Sequence, residues 1–431
     1  MTSLSEAVQE KNVDALIVTP SFLPGHGGIE TYLAGLCAEL GSRVAVLAPE
    51  TRGGKHLPRD LGYETIGYPG SLLFPGADVL RAIEAAADSL GVDRILFGTP
   101  WPLILLGPRI LRTGLRYATV VHGAEMLAPS AVPVLRRRLI GAMLQADLLL
   151  PVSAYTEASL QRLLRGRDMP TTAILRARID FGRFPKVAGG VDARSRLGLA
   201  GSDRIILTLG RLVKRKGVHR LIDAMPRINE LLPDAVLVVA GAGPEERSLR
   251  NRAARTEARI VFAGAVDHQE AAALYDTADV FALAVSDRWF GLEAEGLGLV
   301  LLEASASGTP CVTGVSGGTT EAVVDGETGF VVDARDGSQL VDRIAALLTN
   351  SALNGEFGRR AREHVMSNFS NRELPDPLTQ WLAGRYDSIS TIKKGAEYAN
   401  PSVGTGKQPR LKRRGPHPKG PREDRPQAKR H

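Results

Sequence analysis

Cysteine is scarce in this chain of 431 residues: Cys37 and Cys311 are the two present, far apart and each inside an apolar stretch. That scarcity argues against a disulfide framework and predicts two buried thiols in a reducing compartment. No Cys/His cluster has the spacing of metal ligands, and no two aspartates are spaced Asp-x-Asp, so no metal site is expected. Long apolar runs are lacking too. The stretch from Ile95 to Leu106 is cut by Gly98, Pro100 and Pro102 and falls short of the roughly 20 residues a spanning helix needs. The opening residues, MTSLSEAVQEKN, carry no apolar core of a secretory signal. The expectation is a cytoplasmic protein, with a peripheral position on the inner face of the cell membrane as its one membrane association.

A net basic charge is also missing from most of the chain. The formal net charge is +7, but residues 401–431 hold ten Lys or Arg against Glu423 and Asp424, a surplus of +8, which leaves residues 1–400 at about −1. The body is therefore no nucleic-acid binder by charge, and no basic face interleaved with aromatics is evident. The tail, rich in Pro, Gly, Lys and Arg, has little to bury and is predicted to be disordered.

What is present is alternation. Strands are predicted at Asp14–Pro20, Val44–Ala48, Arg94–Phe97 and Tyr117–His122, with helices at Ile29–Leu40, Ala77–Ser89 and Leu135–Gln145. The pattern restarts with strands at Arg204–Leu209, Ala235–Ala240, Arg259–Phe262, Asp279–Leu283 and Pro310–Thr313. Helices are expected at Val218–Asn229, Glu245–Ala254, Glu270–Thr277 and Val300–Ser307, and closing helices over 338–368 and 375–390. Such alternation predicts an α/β chain of two doubly wound parallel sheets in tandem, whose strand ends face each other across a ligand cleft. The expected division is 1–188, 189–370, a closing region 371–392 and a basic tail 393–431.

Several segments carry chemistry. Gly27 and Gly28 sit in a glycine loop between a strand and a helix, where backbone amides suit an anion. The dinucleotide fingerprint G-x-G-x-x-G is broken at Glu30 and Leu33, which argues against a nicotinamide enzyme. His122-Gly123 closes a strand and puts an imidazole at the rim of the sheet. Gly210 to Gly217, GRLVKRKG, packs four cations between a strand and a helix, a pattern that suits an anion gaining charge as it leaves. The expectation is that Arg211 and Lys216 are functional and that Lys214 and Arg215 are solvated. Glu295 and Glu303, separated by seven residues, lie around Gly296 and Gly298. One carboxylate sits on a loop and the other past the first turn of a helix, whose amides near Gly298 and Leu299 would face phosphate. Ser316 to Glu321, SGGTTE, is read as a further anion-facing loop.

In their order and spacing, GGIE, His-Gly, GRLVKRKG, AGAGPE and E-x7-E resemble the retaining family 4 glycosyltransferases of GT-B fold, over residues 13–385. Within that family the wording FGTPWPLILLGPRIL, VVHGAEM and GLEAEGLGLVLLEASASGTP looks most like actinobacterial mannosyltransferases that use GDP-mannose to extend phosphatidylinositol mannosides. The resemblance implies a nucleotide-sugar co-substrate, no metal or other cofactor, and a lipid-linked acceptor. It implies that the first lobe binds acceptor and the second the nucleotide sugar. Gly27 and Gly28 would approach donor and acceptor, and His122 would touch the transferred sugar. Arg211 and Lys216 would hold the diphosphate, Glu295 the sugar and Glu303 the ribose, with Gly298 and Leu299 facing phosphate. Two alternatives stay open: a UDP-sugar transferase for another acceptor, and a nucleotide-sugar epimerase or hydrolase on the same fold. Arg176-Ala177-Arg178-Ile179-Asp180 departs from the family's Pro-Asn-Gly-Val-Asp turn, which bears on acceptor choice. Arg136, Arg137 and Arg138, with Leu72, Leu73 and Phe74, form the expected contact with an anionic leaflet.

Overall fold

The computed structural model describes residues 13–25, 27–184, 190–289, 293–370 and 373–385. The predicted boundary at 188/189 and the tail 393–431 lie outside the described residues.

The first half builds β1 (Ala15–Val18), β2 (Val44–Pro49), a two-stranded hairpin of β3 (Thr51–Arg52) and β4 (Lys55–His56), β5 (Glu64–Tyr68), β6 (Arg94–Phe97), β7 (Arg116–Val121), β8 (Leu148–Pro151) and β9 (Thr171–Thr172). Seven of these form one parallel sheet in the order β5-β2-β1-β6-β7-β8-β9. The second half builds β10 (Arg204–Leu209), β11 (Ala235–Ala240), β12 (Ile260–Gly264), β13 (Val280–Leu283), β14 (Cys311–Gly314) and β15 (Gly329–Val332), ordered β12-β11-β10-β13-β14-β15. Both sheets are all-parallel doubly wound sheets, as expected.

Burial on both faces explains the sequence of the strands. In β11, Leu237 and Val239 pack into one core with Ile206 and Ile222, while Val238 and Ala240 pack into another with Leu207 and Phe281. Alternate side chains feed opposite layers, so the strand reads as an unbroken apolar run. Cys37 and Cys311 are both buried free thiols, and Cys311 belongs to the second of these layers.

In each sheet the order reverses beside the first strand: β1 lies between β2 and β6, and β10 between β11 and β13. Loops leaving the carboxyl ends there diverge and open a crevice. The glycine loop follows β1, the cation-rich loop follows β10 and the Glu295 loop follows β13. The chain then returns to the first half. Helix Asp376–Leu382 buries Trp381, whose indole N–H donates to Asp147 at the start of β8, 2.9 Å away. Asp147 also takes a two-pronged bond from Arg116, at 2.7 and 2.6 Å.

Candidate active site

The cation-rich loop leaves β10, makes a single turn of 3-10 helix over Lys214–Lys216 and enters helix Val218–Leu231 through Gly217. The turn aims Arg215 and Lys216 in one direction. The Lys216 ammonium is 2.9 Å from the Glu295 carboxylate. Arg215 also pairs with Glu295 through a very short contact, and its Nε stands 3.8 Å from Glu293. Lys214 is exposed, as expected. Arg215 is not the solvated charge predicted for it, because the 3-10 turn swings its guanidinium onto the carboxylate. Arg211 is exposed and, among the described residues, makes no ion pair. Burial works to raise the Glu295 carboxyl, but the Lys216 and Arg215 charges outweigh it and hold the group below the ordinary glutamate value. Glu295 is therefore an anion clamped by two cations.

Gly298 ends the loop with φ of +85° and caps helix Leu299–Ala306 without a side-chain bond. A residue with a Cβ is strained there. Leu301 N–H already donates to the Gly298 carbonyl at 2.9 Å, which leaves the Leu299 and Val300 amides to face an acceptor from outside. One turn on, Glu303 accepts a 2.8 Å hydrogen bond from the buried Tyr275 hydroxyl. Burial raises the Glu303 carboxyl despite that bond. Glu303, Leu299, Thr31, Tyr32, Arg176 and Arg178 line a cleft between the two halves. Residues 176–179 of the departing segment are thus part of the cleft wall.

From the other side, Gly27 caps helix Gly28–Leu40 without a side-chain bond. A Cβ placed on Gly28 would lie 4.0 Å from Leu299, so the glycine loop and the E-x7-E helix meet across the cleft. His122 follows β7 and is buried, with Nε2 3.0 Å from the Gly98 carbonyl and its ring edge-on to Tyr32 at 5.0 Å. Tyr32 in turn donates to the Leu175 carbonyl at 2.6 Å. Burial depresses the His122 imidazole, against the opposing pull of Glu125, so the ring is neutral at neutral pH.

The Ser316–Glu321 loop is expected to face an anion, but the amides of Ser316, Gly318, Thr319 and Glu321 donate inside the protein. Gly318 N–H donates to the Glu295 carbonyl at 3.0 Å and the Ser316 hydroxyl accepts from Glu295 N–H at 3.0 Å. The loop buttresses Glu295. Arg136, Arg137 and Arg138 lie on the exposed side of helix Pro133–Met143. Leu72 and Phe74 are exposed, whereas Leu73 is 2% exposed and belongs to the core, so it drops out of the predicted membrane patch.

Leu299 and Glu303 therefore line the cleft, Gly28 meets Leu299 across it, and His122, Glu295 and Gly298 gather around the loop at Gly296, with Lys216 paired to Glu295 and Arg211 on the exposed β10 loop. Arg215 was undervalued from sequence. In the sequence Glu321 is only the end of a glycine loop, and its backbone partners, 166 and 167 residues away, leave no local trace. Chemically, two cations and two open helix starts suit a diphosphate, and carboxylates suit sugar hydroxyls. Among the described residues no group of three His, Cys, Asp or Glu side chains could hold a metal ion, and no helix is long and apolar enough to cross a membrane.

Residues 192–364 match the family described as Glycosyl transferases group 1. The chain is 33% identical over 384 residues to a GDP-mannose-dependent alpha-(1-6)-phosphatidylinositol monomannoside mannosyltransferase of Mycolicibacterium smegmatis, covering 86% of this chain and 99% of that one. A Corynebacterium glutamicum mannosyltransferase for the monoacylated form of that acceptor is 31% identical over 373 residues, covering 85% and 97%. Among solved structures, Anabaena HepE in complex with UDP and glucose superposes with a TM-score of 0.71 at 19% identity, over 86% of this chain and 98% of that one. The architecture is that of the GT-B glycosyltransferases.

Proposed function

The chain belongs to the group 1 glycosyltransferases, and from that premise we propose that it is a retaining, metal-independent mannosyltransferase. Its donor is GDP-mannose and its acceptor a lipid-linked glycan of the phosphatidylinositol mannoside class. The observation that carries this reading is the near full-length likeness to relatives bearing that activity in their names, at 31–34% identity.

The geometry supports roles for the residues. Lys216 and Arg211, with the amides that open at Gly298 and Leu299, hold the diphosphate and stabilise the charge that grows on it. Glu303 holds the ribose, and Glu295 and His122 orient the sugar. The bond from the anomeric carbon to phosphate oxygen breaks first. The acceptor oxygen then bonds to that carbon on the same face, and its proton passes to the departing diphosphate. Cations on the protein take the place of a divalent metal. Gly27 and Gly28 let donor and acceptor approach the backbone. Arg136, Arg137 and Arg138, with Leu72, Phe74, Val132 and Val134 exposed on the same half, rest on the anionic inner leaflet that carries the acceptor.

Thermal shifts with GDP and UDP, each with chelator, test the donor. A ligand at a hundred times its Kd adds about 2.7 kcal/mol of stability. A shift with GDP, and transfer from GDP-mannose to phosphatidylinositol monomannoside in chelator, are expected. A shift with UDP alone, or transfer that needs added metal, overturns the reading.

A further inference from the structure

Helix Ala154–Leu164 begins immediately after β8, and like every helix it starts with amides that have no partner in their own turn. Ser153 takes one, its hydroxyl accepting from Thr156 N–H at 3.1 Å. The next two are taken by a residue from the other half of the molecule. Ala154 N–H and Tyr155 N–H donate to the two carboxylate oxygens of Glu321, at 3.0 and 2.8 Å. A carboxylate at a helix N-terminus is favoured by both hydrogen bonding and the helix dipole.

The same seam holds the site loop. Ser153 uses its hydroxyl proton on the Gly296 carbonyl at 2.9 Å, and a Cβ on Gly123 would come within 3.9 Å of Gly296 Cα. Glu321 itself is steadied by His364, whose Nε2 is 2.9 Å from the Glu321 carbonyl. Glu321 therefore anchors the contact that sets the β7–His122 rim against the Glu295–Gly296 loop.

We propose that Glu321 is a positioning residue for glycosyl transfer: its carboxylate caps helix Ala154–Leu164 across the cleft and holds the acceptor half closed on the donor half. It touches neither donor nor acceptor. This rests on the glycosyltransferase assignment and on no particular donor. Losing the cap shifts the balance between closed and open forms by the worth of a helix-terminal charge, about 2- to 30-fold. Turnover falls with it, while the donor groups on the second half, Lys216 and Glu303, stay intact.

The test compares the full chain with Glu321→Gln, which keeps size and loses charge, and with Glu321→Ala. X-ray scattering without nucleotide gives the radius of gyration, calorimetry the GDP Kd, steady-state kinetics kcat and KM, and melting the Tm. The expected result in Glu321→Gln is a larger radius and a kcat lower by about 2- to 30-fold, with GDP Kd within about twofold and Tm held. Glu321→Ala should show a deeper loss of kcat. An unchanged radius in Glu321→Gln overturns the proposal, and so does an unchanged kcat or a loss that follows GDP affinity or Tm. If the wild type fails to bind GDP, the GDP-mannose reading fails while the scattering comparison still decides the role of Glu321.

Discussion

The Lys216 ammonium stands 2.9 Å from the Glu295 carboxylate, so the cation expected to receive a departing diphosphate is already partnered by an anion of the same site. Diphosphate and carboxylate compete for it. Hydrogen bonds to charged groups are worth about 1.5–3 kcal/mol, so removing the competing charge should be felt strongly.

Glu295→Gln should therefore bind GDP about tenfold more tightly while its kcat falls, because the sugar loses its orienting carboxylate. The opposite directions are the signature. Calorimetry with GDP and initial rates with GDP-mannose check it; weaker GDP binding would mean that Glu295 aids the diphosphate instead of competing with it.

The strands of the fold were legible where apolar runs are cleanly bounded. Arg94–Phe97, Arg204–Leu209 and Ala235–Ala240 are found where they were read, because charge, Gly or Pro stops each run. Glu64–Tyr68 was missed because its side chains are mostly half-buried and it has no apolar run to find. Leu148–Pro151 was missed because three leucines after a helix look like more helix. Ser153 with Thr156 was an available cap signal for the helix that follows. Glycines and carboxylates of the site were legible from spacing, since strand ends bring them together. Arg215 and Glu321 were not, because a turn of 3-10 helix and a contact across the cleft decide their partners.

Trp381 is fully buried, and its indole N–H bonds to Asp147, so the returning helix is tied to the first sheet by packing and by one polar bond. Trp381→Ala should cost about 3–5 kcal/mol. Trp381→Phe keeps most of the packing, and Asp147 keeps Arg116, so the lost hydrogen bond should cost about 1 kcal/mol. Urea unfolding of both variants checks the difference, and equal losses would assign the whole effect to the hydrogen bond.

His122 makes a prediction with a definite sign. Burial lowers its value in the folded protein below the ordinary 6.5, so the unfolded chain takes up a proton more readily than the folded one. The stability this residue contributes is complete above the unfolded value and is lost as pH falls below it. Melting between pH 7.5 and 5.5 should show a drop in the wild type that is smaller in His122→Gln. Equal drops would place the acid sensitivity elsewhere.

Gly296 joins the two halves by having no side chain. A Cβ there would lie 2.3 Å from the His122 carbonyl, a backbone atom that cannot swing aside, so Gly296→Ala must push the Glu295 loop away from the β7 rim. Displacing a reacting group by about 1 Å can cost about a hundredfold in rate, and a loss of that order in kcat is expected. Gly141→Ala is the matched control: it sits inside helix Pro133–Met143 with nothing within 4 Å of an added Cβ, and should gain about 0.5–1 kcal/mol of stability with activity unchanged. If Gly296→Ala keeps wild-type kcat, the seam between His122 and the Glu295 loop does not hold the reacting groups in register.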